Sequence, residues 1–314
     1  MSNVLTSVDQ RTKLVGKNRL ELLLFKINAT QLFAINVFKV REVVKLPQLS
    51  SLPGSHPHIE GVATIRGVPI PVIDLRKAIG FTHLPEHQNP NLIITEYNRT
   101  VQGFLVGDVE HIINMTWEDI LPPPKSVGKN SYLTAITRVD HQGSNRLVSI
   151  IDVEKVLAEI ISYDVSVSKE VLDNQLVEEM YGRKVFVVDD SATARNLIVE
   201  TLTPLGIEVL EASDGLQALN MLKRWQQEGK RVTDEILMMI SDAEMPEMDG
   251  YKLVHEIRSD ENLKNLHVVL NTSLSGSFNN ALAEKVGFNR FISKFQPDAL
   301  VEAVQDRLRE VIAV

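Results

Sequence analysis

The sequence contains no cysteine. Disulfides and thiolate metal sites are therefore excluded. No run of about 20 apolar residues occurs, so no transmembrane helix is expected. The N-terminal stretch MSNVLTSVDQRTKL lacks the apolar core of a secretory signal. Positive charge is also short: 33 Lys and Arg stand against 41 Asp and Glu, a net charge of -8. That balance argues against binding a nucleic-acid phosphate backbone. GxSxG, Walker A and GxGxxG motifs are all missing. These absences leave a cytoplasmic protein as the expectation.

Two domains fit comfortably into 314 residues. From Glu21 to about Ile161 the chain is dense in short β-like runs, among them ELLLFKI, QLFAINV, GVPIPVIDL, NLIITEY and RLVSIIDV. Gly, Pro, Asn and Asp separate them, which predicts an all-β barrel or sandwich. Pro69 and Pro71 favour an edge or a strand start. Residues 162–182 are polar and acidic with an amphipathic look, and read as a partly helical linker. From Arg183 the pattern changes to apolar runs alternating with helical periodicity, repeated five times. This predicts a parallel sheet with helices on both faces. The expected boundaries are thus 15–161, 162–182 and 183–314.

In an open α/β sheet, ligands gather beyond the carboxyl ends of the strands. KVFVV ends in Asp189 and Asp190, ILMMIS ends in Asp242, LHVVLN ends in Thr272 and FNRFIS ends in Lys294. Three carboxylates in one place repel each other unless a cation joins them. Oxygen ligands without His or Cys select a hard ion, Mg²⁺ before Zn²⁺. A hydroxyl, an ammonium and Mg²⁺ around one carboxylate is the equipment for phosphoryl transfer to that carboxylate.

The acidic pair, the run DAEMPEMDG from Asp242, then Thr272 and Lys294 in that order resemble response-regulator receiver domains. The resemblance covers about 130 residues and implies a flavodoxin-like fold. It implies Asp242 as phosphoacceptor. Asp190, Asp242 and the main-chain carbonyl of Glu244 would be direct Mg²⁺ ligands, with Asp189 acting through water. Thr272 and Lys294 would bind phosphoryl oxygens. Two positions depart from the pattern. Receivers usually carry Pro after the lysine, where this chain has Phe295, and the aromatic switch position holds Phe291 where Tyr is common. Glu244 could also alter dephosphorylation. A hydrolase with an Asp nucleophile would commonly want a second Asp where Glu244 stands.

In the N-terminal half, His83, Glu86 and His87 fit the HxxEH pattern of some zinc peptidases, but Pro85 blocks the helix that pattern needs. His56 and His58 have metal-like spacing in a Pro- and Gly-flanked turn with no third ligand in sight. A polar loop and an ordinary turn are expected. The stretch from Val37 to Gly80, with VREV, IEGV and IRGVPIPVIDLR, is similar to the CheW family of chemotaxis adaptors. That resemblance implies paired five-stranded β-barrels with a shared core and no enzymatic activity. It places Val40, Glu42 and Arg66 where the family contacts partners. Core for Val40 and solvated charge for Glu42 remain open alternatives.

A CheW-like domain followed by a receiver is the arrangement of the CheV family. It implies an adaptor at polar chemoreceptor arrays, coupling receptor tips to the histidine kinase CheA and regulated at Asp242. A phosphate sink for CheA and a scaffold with a silent receiver are the alternatives. A DNA-binding regulator is not expected, because no helix-turn-helix follows the receiver.

Overall fold

The computed structural model describes residues 19–27, 31–81, 90–97, 100–116, 119–121, 132–141, 144–161, 165–272 and 283–313. The chain forms two compact units, which divide between Ser162 and Tyr163.

The N-terminal unit has strands β1 (Arg19–Lys26), β2 (Leu32–Asn36), β3 (Val40–Lys45), β4 (Ile59–Ile65), β5 (Val68–Asp74), β6 (Asn91–Tyr97), β7 (Thr100–Val106), β8 (Val109–Thr116), β9 (Leu133–His141) and β10 (Ser144–Ile151). Two short helices, α1 (Leu75–Ala78) and α2 (Val153–Ile160), accompany them. The strands make two five-stranded sheets, ordered β8-β1-β2-β10-β9 and β3-β6-β7-β5-β4. The run LELLLF in β1 is apolar on both faces because both faces are buried. Leu20, Leu22 and Leu24 pack with Leu32, Val148 and Ile150. Leu23 and Phe25, buried too, alternate with them. Phe33 stacks on Phe25 at 6.2 Å between ring centroids and meets Phe81 edge-on at 6.3 Å.

The prolines of β5 have a structural reason. The strand lies inside the sheet order, yet β7 pairs with it only from Val72 onward. Pro69 and Pro71 therefore sit where β5 pairs on one side, with β4, and a missing N–H costs no ladder bond. In β4 the register shifts at Gly61, whose φ is 151°. A Cβ there would stand 2.5 Å from the carbonyl oxygen of Ser50, so the strand's inward bend requires glycine.

The C-terminal unit contains α3 (Asn174–Met180), β11 (Lys184–Val188), α4 (Ala192–Leu202), β12 (Glu208–Ala212), α5 (Gly215–Gln227), α6 (Val232–Glu235), β13 (Met238–Ser241), α7 (Gly250–Ser259), β14 (Val268–Thr272), β15 (Arg290–Ser293) and α8 (Pro297–Ile312). Its sheet is wholly parallel, ordered β12-β11-β13-β14-β15. One sheet face packs Phe186, Val188, Met239 and Leu270 against Leu219, Leu222, Leu253 and Ile257 of α5 and α7. The other packs Val185, Val187, Ile240 and Ile292 against Ile198, Leu202, Val301 and Val304 of α4 and α8. The βα loops end in helix caps: Ser191 accepts from the Ala194 amide, Asp214 from Gln217 and Asp249 from Lys252. The stretch expected as a linker is docked from Val165 onward. Leu176 and Met180 are buried in the α4–α8 core, with Val167, Val171 and Leu172 packed against it.

His267, just before β14, is a cost carried by this packing. Its side chain is 12% exposed, its Nδ1 is 3.6 Å from Glu310, and its buried Nε2 has no hydrogen-bond partner. Burial first, then the nearby Arg307 guanidinium, push its pKa down to about 4. Between the unfolded value near 6.5 and about 4, the unfolded chain takes up a proton that the folded chain refuses. Stability of this unit should therefore fall as pH drops through that window. We expect His267→Gln to remove roughly 1–2 kcal/mol of the loss between about pH 7 and about pH 5, read from urea unfolding at each pH. Equal acid sensitivity in the two proteins would show that other groups carry it.

Candidate functional site

Two neighbouring strands build the site. β11 passes directly into Asp189 and Asp190, and β13 into Asp242. They are hydrogen-bonded to each other at the point where the strand order reverses, so their carboxyl ends open one crevice. Carboxylate oxygens of Asp189, Asp190 and Asp242 lie within 4.8 Å of one another. Asp189 is 1% exposed and Asp242 7%. The Lys294 ammonium, itself 1% exposed, reaches Asp189 Oδ2 at 2.8 Å and Asp242 Oδ2 at 3.2 Å. The remaining oxygens take backbone donors: Asp189 Oδ1 accepts from the Ser191 amide at 2.9 Å, and Asp242 Oδ1 from the Ala243 amide at 2.8 Å. Thr272 is buried at the end of β14, and its carbonyl accepts from the Lys294 amide at 3.1 Å. One ammonium against three carboxylates leaves two negative charges. That charge and an oxygen-only donor set fit a hard divalent cation.

Several residues at this site escaped the sequence reading. Arg195 donates from Nη1 to the Asp189 carbonyl at 2.6 Å and from Nε to Glu211 at 2.9 Å, tying the backbone just after β11 to β12. Ser241 Oγ donates to the Asp242 carbonyl at 2.9 Å. That carbonyl lies so close to α7 that a Cβ at Gly250 would stand 2.0 Å from it. The hydroxyl of Tyr251 is pushed above its usual range by burial, then by the charges of Glu244 and Asp242. Glycine 250 sat inside the recognised run, whereas Arg195 had no local signal, because its partners come from two other elements.

Phe295 follows the lysine with φ at 59°. Proline, fixed near φ −65°, cannot adopt that conformation. The Phe-for-Pro departure thus coincides with a loop that proline could not form. Phe291 is half-buried in β15, pairs with Leu270 and packs against the α5–α7 core. Glu244 is half-buried in the loop that follows Asp242.

In the N-terminal unit, Arg66 and Gly67 make the two-residue turn between β4 and β5, with φ at 51° and 82°. Arg66 is 79% exposed and donates to Glu42 Oε2 at 2.7 Å. Val40 is half-buried at the start of the same strand as Glu42, pairing with Thr95 across a register shift. The rings of His56 and His58 lie 4.7 Å apart, and the His58 amide donates to His56 Nδ1 at 3.3 Å. Among the described residues, the aspartate trio is the group of three or more potential metal ligands that converges. His83, Glu86 and His87 lie outside the described residues. No helix among the described residues is long and apolar enough to cross a membrane.

Residues 21–160 match the CheW-like domain family, and residues 185–305 match the response regulator receiver domain family. Fold and site therefore define a two-domain chemotaxis signalling protein, a CheW-like domain followed by a receiver. Chemotaxis protein CheV3 of Helicobacter pylori is 29% identical over 299 residues, spanning 91% of this chain and 94% of that protein. CheV1 of the same organism is 27% identical over 339 residues, spanning 98% and 99%. A CheY homolog of Campylobacter jejuni is 35% identical over 127 residues, which are 40% of this chain and 92% of that protein. The chain thus has the CheW-like plus receiver architecture, and CheV proteins match it along 91% and 98% of its length.

The site's charge balance has a measurable consequence. Lys294→Met leaves the buried carboxylates without their ammonium, and should destabilise the C-terminal unit by about 3–5 kcal/mol in chelator-treated buffer. Adding Asp242→Asn should recover part of that loss in the same urea titration. An unchanged midpoint in the single variant would show that the ammonium does not hold the cluster together.

Proposed function

We infer that this protein couples chemoreceptor tips to the CheA histidine kinase through its N-terminal domain, residues 15–161, and is regulated by a phosphoryl group on Asp242 of its receiver, residues 183–314. Residues 162–182 join the two. The observation that carries the reading is Asp242 itself, a nearly buried carboxylate 3.2 Å from Lys294 beside Asp189 and Asp190.

The chemistry follows from these residues. An Asp242 carboxylate oxygen attacks the phosphorus of the kinase phosphohistidine. The new P–O bond forms as the P–N bond breaks, and the bond pair returns to the imidazole nitrogen. Asp190, Asp242 and the main-chain carbonyl of Glu244 would hold Mg²⁺, with Asp189 acting through water, and the ion supplies charge neutralisation at the phosphoryl oxygens when bound. Lys294 exchanges its carboxylate partners for a phosphoryl oxygen, and the Thr272 hydroxyl donates to another. Phe291, lacking a hydroxyl, acts as the switch aromatic by packing alone. The protein turns over no substrate of its own, as expected of a CheW-like adaptor. It works in the cytoplasm at polar receptor arrays.

At the coupling surface, Glu42 and Arg66 act as one unit. Arg66 presents its guanidinium from the turn to a receptor carboxylate, and Val40 adds apolar contact.

Two experiments test the reading. Mg²⁺-dependent transfer from a phosphorylated CheA-type kinase should label the wild type and not Asp242→Asn; label on neither, or on both, would sink the assignment. Arg66→Glu should keep the fold, since Arg66 is 79% exposed, and weaken co-sedimentation with receptor arrays about tenfold. Undiminished co-sedimentation would remove Arg66 from the partner surface.

A further inference from the structure

Residues 165–182 are fastened to the receiver by two polar anchors, with Val167 packed against the α4–α8 core beside the first. The first is a clasp: the Ser168 amide donates to Asp298 Oδ1 at 2.8 Å, and its hydroxyl to Asp298 Oδ2 at 2.6 Å. The second lies two helical turns further along α8. Gln305, 2% exposed, accepts from the Asp173 amide at 2.7 Å and donates to the Val171 carbonyl at 2.9 Å. Arg309 adds an ion pair to Asp173 at 2.9 Å. Behind this second anchor, Leu176 and Met180 are buried in the core.

The two anchors differ in what they are joined to. Gln305 sits in the middle of α8, remote in sequence from the aspartate cluster. Asp298 is in the first turn of α8, four residues beyond Lys294. Ahead of the clasp, Val165 lines a groove with Ala194, Leu197, Lys294, Phe295 and Pro297. The connection between the lysine and the clasp runs through Phe295, which holds a left-handed φ of 59°. A non-glycine backbone in that region is kept there by its surroundings and relaxes when they change. Lys294 is the residue that must change partners when Asp242 is modified, because its ammonium now spans Asp189 and Asp242.

We propose that residues 165–170 form a phosphorylation-released strap: modification of Asp242 draws Lys294 and the Phe295–Pro297 loop away from Val165 and opens the Ser168–Asp298 clasp, while the Gln305 anchor holds. This deepens the function proposed above and rests on it, since the strap needs a phosphoryl group as input. The segment begins three positions after Ser162, where the N-terminal unit ends. Release of the six residues from Val165 to Glu170 frees a segment that spans up to about 20 Å when extended. The signal at Asp242 is thereby converted into slack in the connection to the coupling domain.

Hydrogen–deuterium exchange of the full chain, with and without beryllium fluoride and Mg²⁺ as a phosphoryl mimic, tests this. The Ser168 amide should exchange about tenfold faster with the mimic, as the loss of one hydrogen bond to a charged acceptor requires, and the Asp173 amide should not change. Asp298→Ala should show the faster rate without the mimic and no further response to it. Protection around Asp242 and Thr272 with no change at Ser168 would overturn the strap and leave the phosphoacceptor intact. A surviving response in Asp298→Ala would likewise overturn it. No protection anywhere, together with no phosphotransfer, would remove the phosphoacceptor and the strap with it.

Discussion

The C-terminal unit depends on one ammonium. Asp189 and Asp242 are nearly buried, and isolated carboxylates in such a place would neutralise or unfold the site. Lys294 bridges them, and a backbone amide satisfies one further oxygen of each. Losing one partner of a buried ion cluster is costly, so the geometry tolerates little movement. The parallel sheet supplies that rigidity. Adjacent strands fix the two aspartates, and β14 and β15, paired from Val269 to Thr272, fix Thr272 and the lysine. Tight approach at Gly250 and the Arg195 bond to the Asp189 carbonyl then set the backbone on either side. Two negative charges remain over, and they give the cluster its readiness for a cation.

The N-terminal unit answers to a different constraint. Its strands bury apolar residues on both faces, as β1 does with Leu22 and Leu24 on one side and Leu23 and Phe25 on the other. Rigidity at the core leaves the hairpin turns free to carry chemistry. Arg66 adopts a left-handed conformation in its turn and meets Glu42 from a different strand. An exposed pair of this kind adds little stability, about 0–1 kcal/mol. Its placement at the tip of a hairpin is therefore better understood through what it presents than through what it stabilises.

Much of this was legible in the sequence, for a geometric reason. In a parallel sheet the strand's last apolar residue marks its carboxyl end, so the polar residues in the next two positions lie at the crevice. Asp189, Asp190, Asp242, Thr272 and Lys294 could all be located that way, and three carboxylates and the ammonium stand in one cluster. Pro69 and Pro71 marked a strand with one open side, although β5 is nominally interior. What could not be read were interactions that join distant elements. Arg195 looks like an ordinary helix arginine until α4 is laid beside β12. Residues 162–182 look like a linker because they are polar, yet Ser168 and Asp173 bind acceptors some 130 positions later in the chain. Polar composition signals solvent exposure only when the partners are water.

Phe295 shows how such a hidden interaction leaves a trace. A proline at this position would fix φ near −65° and redirect the chain just before Pro297 and Asp298. The observed φ of 59° instead brings Asp298 into α8's first turn with both carboxylate oxygens facing Ser168. The residue that breaks the receiver pattern and the residue that grips the strap are three positions apart and belong to one backbone path. Read alone, Phe295 is a defect in a motif. Beside the clasp it is the turn that allows the helix to start where the strap can be held. Restoring the common residue would therefore act on the hold at Ser168 as well as on the loop beside the lysine.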